Sequence, residues 1–260
     1  GFSLTDNILR LSKVGDVWVK LHRPIKGKIK TVTIQRSNVG MWYACFSCEV
    51  EATPLPINER VVGVDLGLKT FATLSDGGKI KRHRWMKRDA KDVARLQRKK
   101  ERLAKGSQER RKAVYALCHA YERSTNRRTN FAHQESRKLV NTYQLIVFED
   151  LEIRNMMSQG RRVINRNIGD AAWAKFVQFT TYKAGNAGRS VLFVSPRGTT
   201  QECSRCGRVV PKELSVRVHD CPTCGLKIDR DLNAALNILA RGLASLGVSP
   251  RSHGTLVPVE

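Results

Sequence analysis

Three carboxylates and four cysteines are the residues whose types and spacing could do chemistry. Asp65 follows the apolar run Val61-Val62-Gly63-Val64, Glu149 follows Leu145-Ile146-Val147-Phe148, and Asp231 lies in Asp229-Arg230-Asp231-Leu232-Asn233. An acid at the end of an apolar segment is costly to bury unless it is hydrogen-bonded or holds a cation. Carboxylates with water suit Mg²⁺ or Mn²⁺, the metals of phosphodiester chemistry. Each acid alone has a plain alternative: a turn cap after a strand for Asp65 and Glu149, and a helix N-terminal cap for Asp229 and Asp231. The cysteines form Cys203-Ser204-Arg205-Cys206, fourteen intervening residues, then Cys221-Pro222-Thr223-Cys224, with glycine at 207 and 225 after the pairs. Four thiolates at this spacing suit tetrahedral zinc and leave no open position, so the site is expected to be structural. Two disulfides are the rival reading.

The elements that must position these groups are legible as patterns. Val61–Leu66 and Leu145–Phe148 are short, β-rich apolar runs of the kind covered on both faces. Phe71–Ser75 and the turn Asp76-Gly77-Gly78 predict a neighbouring strand and hairpin, and Ser190–Ser195 another strand. Ligands gather at the carboxyl ends of strands in open α/β sheets, so adjacent placement of the first two runs would bring Asp65 and Glu149 to one cation. Trp173, Phe176, Val177 and Thr180 predict a helix that starts at Gly169-Asp170. Leu232, Ala235, Leu236, Leu239, Ala240, Leu243 and Leu246 predict an amphipathic helix with Asp231 at its start. Residues 156–167 read as a loop and 247–260 as a flexible tail.

Before residue 58 the pattern alternates with period two over 16–22, 30–35 and 41–51, predicting antiparallel strands of a small sheet or open barrel. Cys45 and Cys48 are three apart on a strand, hence on opposite faces, and read as ordinary strand residues. Pro54-Leu55-Pro56 reads as a linker.

The chain has 260 residues, with 47 Lys and Arg against 23 Asp and Glu, a net +24. That imbalance points to a polyanionic partner, most simply nucleic acid, although a structural basic protein would share it. Half of it lies in Lys79–Lys112, where 16 basic and 4 acidic residues give +12. Asp89, with Asp92 three positions on, predicts a helix start there. Arg95, Arg98, Lys99 and Arg102 would then project together toward a phosphate backbone, a solvated charged helix being the alternative. Val114, Leu117, Cys118 and Tyr121 predict a second helix and Ser136, Leu139, Val140 and Tyr143 a third, separated by a polar break at 124–128. Arg205, Arg208 and Lys212 could add a nucleic-acid contact on the cysteine segment. No apolar run is long enough to span a membrane and none reads as a signal peptide, so a cytoplasmic protein is expected. The start at Gly1, within a β-rich region, suggests a processed or partial product.

Together, Gly63–Lys69, Val147–Leu151, the four-cysteine segment and Asp229–Ala235 resemble the TnpB family, the insertion-sequence OrfB proteins related to type V CRISPR effector nucleases. The resemblance implies an α/β RNase H-like (RuvC) mixed sheet with a helical insert, an N-terminal antiparallel β module and an inserted zinc ribbon. It implies a transposon-encoded, RNA-guided DNA endonuclease in which Asp65, Glu149 and Asp231 bind two Mg²⁺ ions, with guide RNA and target DNA as partners. Asp229 and Asp150 would be neighbours of those ligands. The corresponding parts are 1–58, part of a wedge-like β domain; 59–198, the nuclease domain with its insert at 79–144; 199–228, the ribbon; and 229–246, the last nuclease segment. Family members carry more chain before this point, so a recognition part is expected to be missing or supplied by a second chain. The rival readings are a non-cleaving RNA-guided repressor or transposition accessory factor, and a strand-transfer transposase.

Overall fold

The computed structural model describes residues 1–152, 169, 171–213 and 215–247. The loop expected over 156–167, Asp170, and all but Gly247 of the tail expected over 247–260 lie outside the described residues. Two compact units divide the chain: 1–52 with 91–122, and 53–90 with 123–260.

In the first unit, β1 (Phe2–Thr5), β2 (Ile8–Leu11) and β3 (Gly15–Trp18) form an antiparallel sheet, and β4 (Lys28–Arg36) and β5 (Trp42–Glu49) form a separate ribbon. The single sheet or barrel expected here is therefore two sheets, and the strand expected over 16–22 stops at Trp18, ahead of Pro24, which lacks an N–H for a ladder. Cys45 is exposed and Cys48 half-buried on β5, as alternation requires.

In the second unit a mixed five-stranded sheet has the order β10-β9-β6-β7-β8, from β6 (Val61–Leu66), β7 (Ala72–Leu74), β8 (Lys79–Ile80), β9 (Leu145–Glu149) and β10 (Ser190–Val194). The hairpin β6-β7-β8 is antiparallel, whereas β9 runs parallel to both β6 and β10. Alternation sorts the side chains. Val62, Val64, Ile146 and Phe148 face one core with Leu139, Val140, Trp173 and Phe176, while Leu145, Val147 and Val194 face another with Ile238, Leu239 and Leu243. Both faces are covered, which is why β6 and β9 read as unbroken apolar runs.

The helices are α1 (Trp85–Arg102), α2 (Gln108–Thr142), α3 (Trp173–Asn186) and α4 (Arg230–Ser245). Because α1 begins at Trp85, Asp89 is not its cap; it accepts both hydrogen bonds of Arg127 Nη1, at 3.2 Å each. The two helices expected after 112 are one, since Ser124–Arg128 contains neither glycine nor proline and costs only a few tenths of a kcal/mol per residue in a helix. Its buried stripe runs into the supposed break as Ala113, Leu117, Ala120 and Ser124, whereas Val114 and Tyr121 are exposed. Apolar character alone placed that face one position out; small residues mark the packed side. Among the described residues no helix is long and apolar enough to cross a membrane.

Candidate functional site

The position of α4 sets the site. Gly63 of β6 lies under it: a Cβ there would stand 2.2 Å from the Ala235 carbonyl oxygen and 2.7 Å from the Leu239 nitrogen. Gly242 of α4 returns the fit, since its Cβ would meet Val147 Cγ2 of β9 at 2.6 Å. Gly63 meets residues 235 and 239, and two positions along β6 the charge of Asp231 acts on Asp65, so α4 runs antiparallel to β6. From Gly63 to Asp65 is one side-chain repeat, about 6.6 Å, on the face that α4 covers. From Ala235 back to Asp231 is one helical turn, about 6 Å, in the same direction. Glu149 reaches that face from β9, where Val64 pairs with Phe148 one position earlier on each strand.

Among the described residues only the four cysteines bring three or more ligand atoms within 4.8 Å of one another; the three carboxylates are close enough to act on one another's charge. Burial first, then the charges of Glu149 and Asp231, push the Asp65 carboxyl up to about 8, with Arg230 opposing. Burial also raises Glu149, whose Oε1 accepts a 2.6 Å hydrogen bond from Thr199 Oγ1. Asp231 is held by Arg230, with Nη2 at 3.1 Å from Oδ1, and lies 3.9 Å from Arg217 Nη1. Asp229 is the N-cap of α4, accepting from the backbone N–H groups of Asp231 and Leu232, and Asp231 is the acid of the first turn. Lys79 Nζ pairs with Asp229 at 2.9 Å, so one cation of the basic stretch is structural.

The cysteines form a second centre. All four sulfur atoms lie within 4.8 Å of one another, with Cys203 to Cys224 at 3.5 Å and Cys206 to Cys221 at 3.7 Å. A tetrahedral zinc with bonds of about 2.3 Å separates its sulfurs by about 3.8 Å, whereas a disulfide brings them to about 2.05 Å. The set can hold a metal ion. Each pair closes the same turn: Gly207 and Gly225 adopt φ of 75° and 70° and donate to the Cys203 and Cys221 carbonyls at 2.8 and 2.9 Å. Only glycine adopts that conformation without strain, which accounts for both glycines. Backbone N–H groups, first that of Cys224, lower the Cys221 thiol to about 6, toward the thiolate a metal needs.

Sequence reading missed the groups that join these centres. Arg241 Nη1 donates to Ser195 O at 2.7 Å, Asn237 Nδ2 to Thr199 O at 2.8 Å and Asn233 Nδ2 to Glu202 O at 2.7 Å, while Ser204 N donates to Asn233 Oδ1 at 3.0 Å. Spacing 233, 237, 241 puts all three on one face of α4, a signal readable as polar residues at i, i+4, i+8 in an otherwise apolar helix. Arg95, Arg98, Lys99 and Arg102 share an exposed face of α1, with Arg95 3.6 Å from Asp92. Lys212 turns inward to His219 Nδ1 instead of facing solvent as a contact.

Two family models match the chain: one described as "Probable transposase" over residues 45–159, and a "Cas12f1-like, TNB domain" over 173–238. A protein of Streptomyces pristinaespiralis named "Putative RNA-guided DNA endonuclease" is 36% identical over 249 residues, covering 94% of this chain and 61% of that one. An Escherichia coli K12 protein named "Putative RNA-guided DNA endonuclease InsQ" is 33% identical over 251 residues, covering 91% of this chain and 62% of that one. The chain thus spans about three-fifths of the length of these curated relatives. Among solved structures, a Cas12f1 in complex with sgRNA and target DNA superposes with a TM-score of 0.52 at 17% identity, over 82% of this chain and 56% of that one, a likeness of fold.

Proposed function

The chain belongs to the transposon-associated OrfB/TnpB family, and from that premise we propose that it carries the nuclease centre of an RNA-guided, metal-dependent DNA endonuclease. The observation that carries this reading is that Asp65 is buried on the sheet face it shares with Glu149, and that the charges of Glu149 and Asp231, ahead of that of Asp229, act on it. An antiparallel hairpin continued by two parallel strands supports an RNase H-like sheet, with the acids at its carboxyl edge.

The donor set is all carboxylate, which fits hard divalent ions better than zinc. Two Mg²⁺ ions held by Asp65, Glu149 and Asp231 would supply an activated water and stabilise the leaving 3′ oxygen. The chain's own part is to keep three like charges together on a buried face. Burial drives Asp65 to retain a proton until a cation replaces it, and Arg230 partly neutralises Asp231. The four cysteines would hold a structural zinc, and the exposed face of α1 would meet a phosphate backbone of guide RNA or target DNA.

Purified protein with its co-purifying RNA, given a labelled duplex and Mg²⁺, is expected to cut, and Asp65→Ala is expected to abolish cutting while sparing RNA binding. Cutting by pure Asp65→Ala would remove the assignment. The description "Probable transposase" favours a second reading, strand transfer by the same acids; joined product strands in this assay would identify it.

A further inference from the structure

We propose that Thr199 is a positioning residue for Glu149, and that through it the anchoring of the cysteine ribbon on α4 reaches the acidic centre. This rests on the metal reading of the three acids. Thr199 is 2% exposed and stands four residues before Cys203. Its Oγ1 is 2.6 Å from Glu149 Oε1 and 3.2 Å from the Pro196 carbonyl. A hydroxyl has one proton, and the shorter bond to the charged acceptor takes it.

That bond occupies Oε1 and restrains the Glu149 side chain, which lies on the sheet face it shares with Asp65. Thr199 is itself fixed from the other side. Asn237, 7% exposed on the third turn of α4, donates through Nδ2 to the carbonyls of Thr199 and Glu202, both at 2.8 Å. The same helix carries Asp231 and covers Gly63, so α4 orients all three acids: one directly, one by close packing, and one through Asn237 and Thr199. Glu202, clamped by Asn233, Asn237 and Arg241, immediately precedes Cys203. The ribbon's root and the Glu149 clamp are therefore one segment. Outer groups that orient a metal-binding carboxylate typically change metal affinity by about 10- to 100-fold when removed.

The test is Mn²⁺ binding to the full, zinc-loaded chain, read by electron paramagnetic resonance, beside cleavage followed against Mg²⁺ concentration. Wild type is expected to show a Mn²⁺ site that Asp65→Ala removes. Thr199→Val is expected to weaken that site about 10-fold or more and to move the Mg²⁺ requirement upward with the plateau rate largely kept; Thr199→Ser restores both. Should Thr199→Val not fold, Thr199→Ala, which adds no bulk, replaces it. Unchanged Mn²⁺ affinity in either folded variant overturns the positioning role. If wild type shows no Asp65-dependent Mn²⁺, the metal reading itself fails and this inference with it.

Discussion

Gly63 of β6 and Ala235 of α4 approach so closely that a single methyl group on Gly63 would stand 2.2 Å from the Ala235 carbonyl oxygen. Backbone cannot yield as a flexible side chain does, so the helix must move. Gly63→Ala is expected to cost about 3 kcal/mol, the upper end of overpacking costs, and to cut metal affinity by displacing Asp231 from Asp65. Chemical denaturation beside Mn²⁺ titration checks both. A variant that keeps wild-type stability and affinity would mean the contact is looser than described.

The proton on Asp65 gives a pH dependence with a definite sign. Its pKa is raised from 3.8 to about 8, so between these values the folded chain keeps a proton that the unfolded chain has released. Stability of the metal-free protein therefore falls as pH rises through that window and levels off above it. Asp65→Asn removes this slope and is expected to raise the metal-free melting temperature at pH 8. Mg²⁺ should stabilise wild type more at pH 8 than at pH 6 and leave Asp65→Asn unmoved. A metal-free slope that survives the substitution would place the proton elsewhere.

Cys221→Ser removes one corner of the sulfur tetrahedron. Bound zinc is expected to fall from about one per chain, with loss of the small core that Cys203 and Cys221 form with Leu226. Because Glu202 and Ser204 are bonded to Asn233 and Asn237 of α4, melting should drop and proteolysis should open the chain between 199 and 228. Full zinc content with unchanged melting would contradict a structural metal.

Arg110 shows what the charge count hides. Its Nη1 donates to the Lys100 and Leu103 carbonyls at 2.7 and 2.9 Å, capping the C-terminal end of α1. Arg110→Ala is expected to cost about 1 kcal/mol and to leave the salt dependence of nucleic-acid binding unchanged. A shifted salt dependence with unaltered stability would reverse that assignment.

Strands β6 and β9 were legible because burial on both faces selects continuous apolar runs, and the cysteine pairs because tetrahedral ligation demands their spacing. Arg110, Lys79 and Lys212 were not, since a basic side chain serves a carbonyl, a carboxylate, an imidazole or a phosphate and composition records only its charge. The path of α2 through Ser124–Arg128 was hidden for another reason. Polar residues resemble a loop until Ser124 is seen packed at 4% exposure in line with Ala120 and Leu117. Thr199 was missed because its role depends on Asn237, 38 positions away.

Arg95, Arg98, Lys99 and Arg102 separate from those structural cations by position. They recur at i, i+3, i+4 and i+7 on α1 and all four are exposed, Arg95 beside the equally exposed Asp92, so none of their charges serves a core. Each phosphate neutralised releases condensed counterions, which lowers affinity for single-stranded RNA with salt at a slope of about 0.7 per contact, and for duplex at about 0.9. Replacing all four by alanine is therefore expected to reduce that slope by up to about 3 for single-stranded RNA and about 3.6 for duplex, with little change in melting temperature. Binding measured from about 50 to 200 mM salt, separately for co-purified RNA and for duplex DNA, shows which strand this face meets. An unchanged slope for both would make α1 a solvated charged helix and move the nucleic-acid surface elsewhere on the chain.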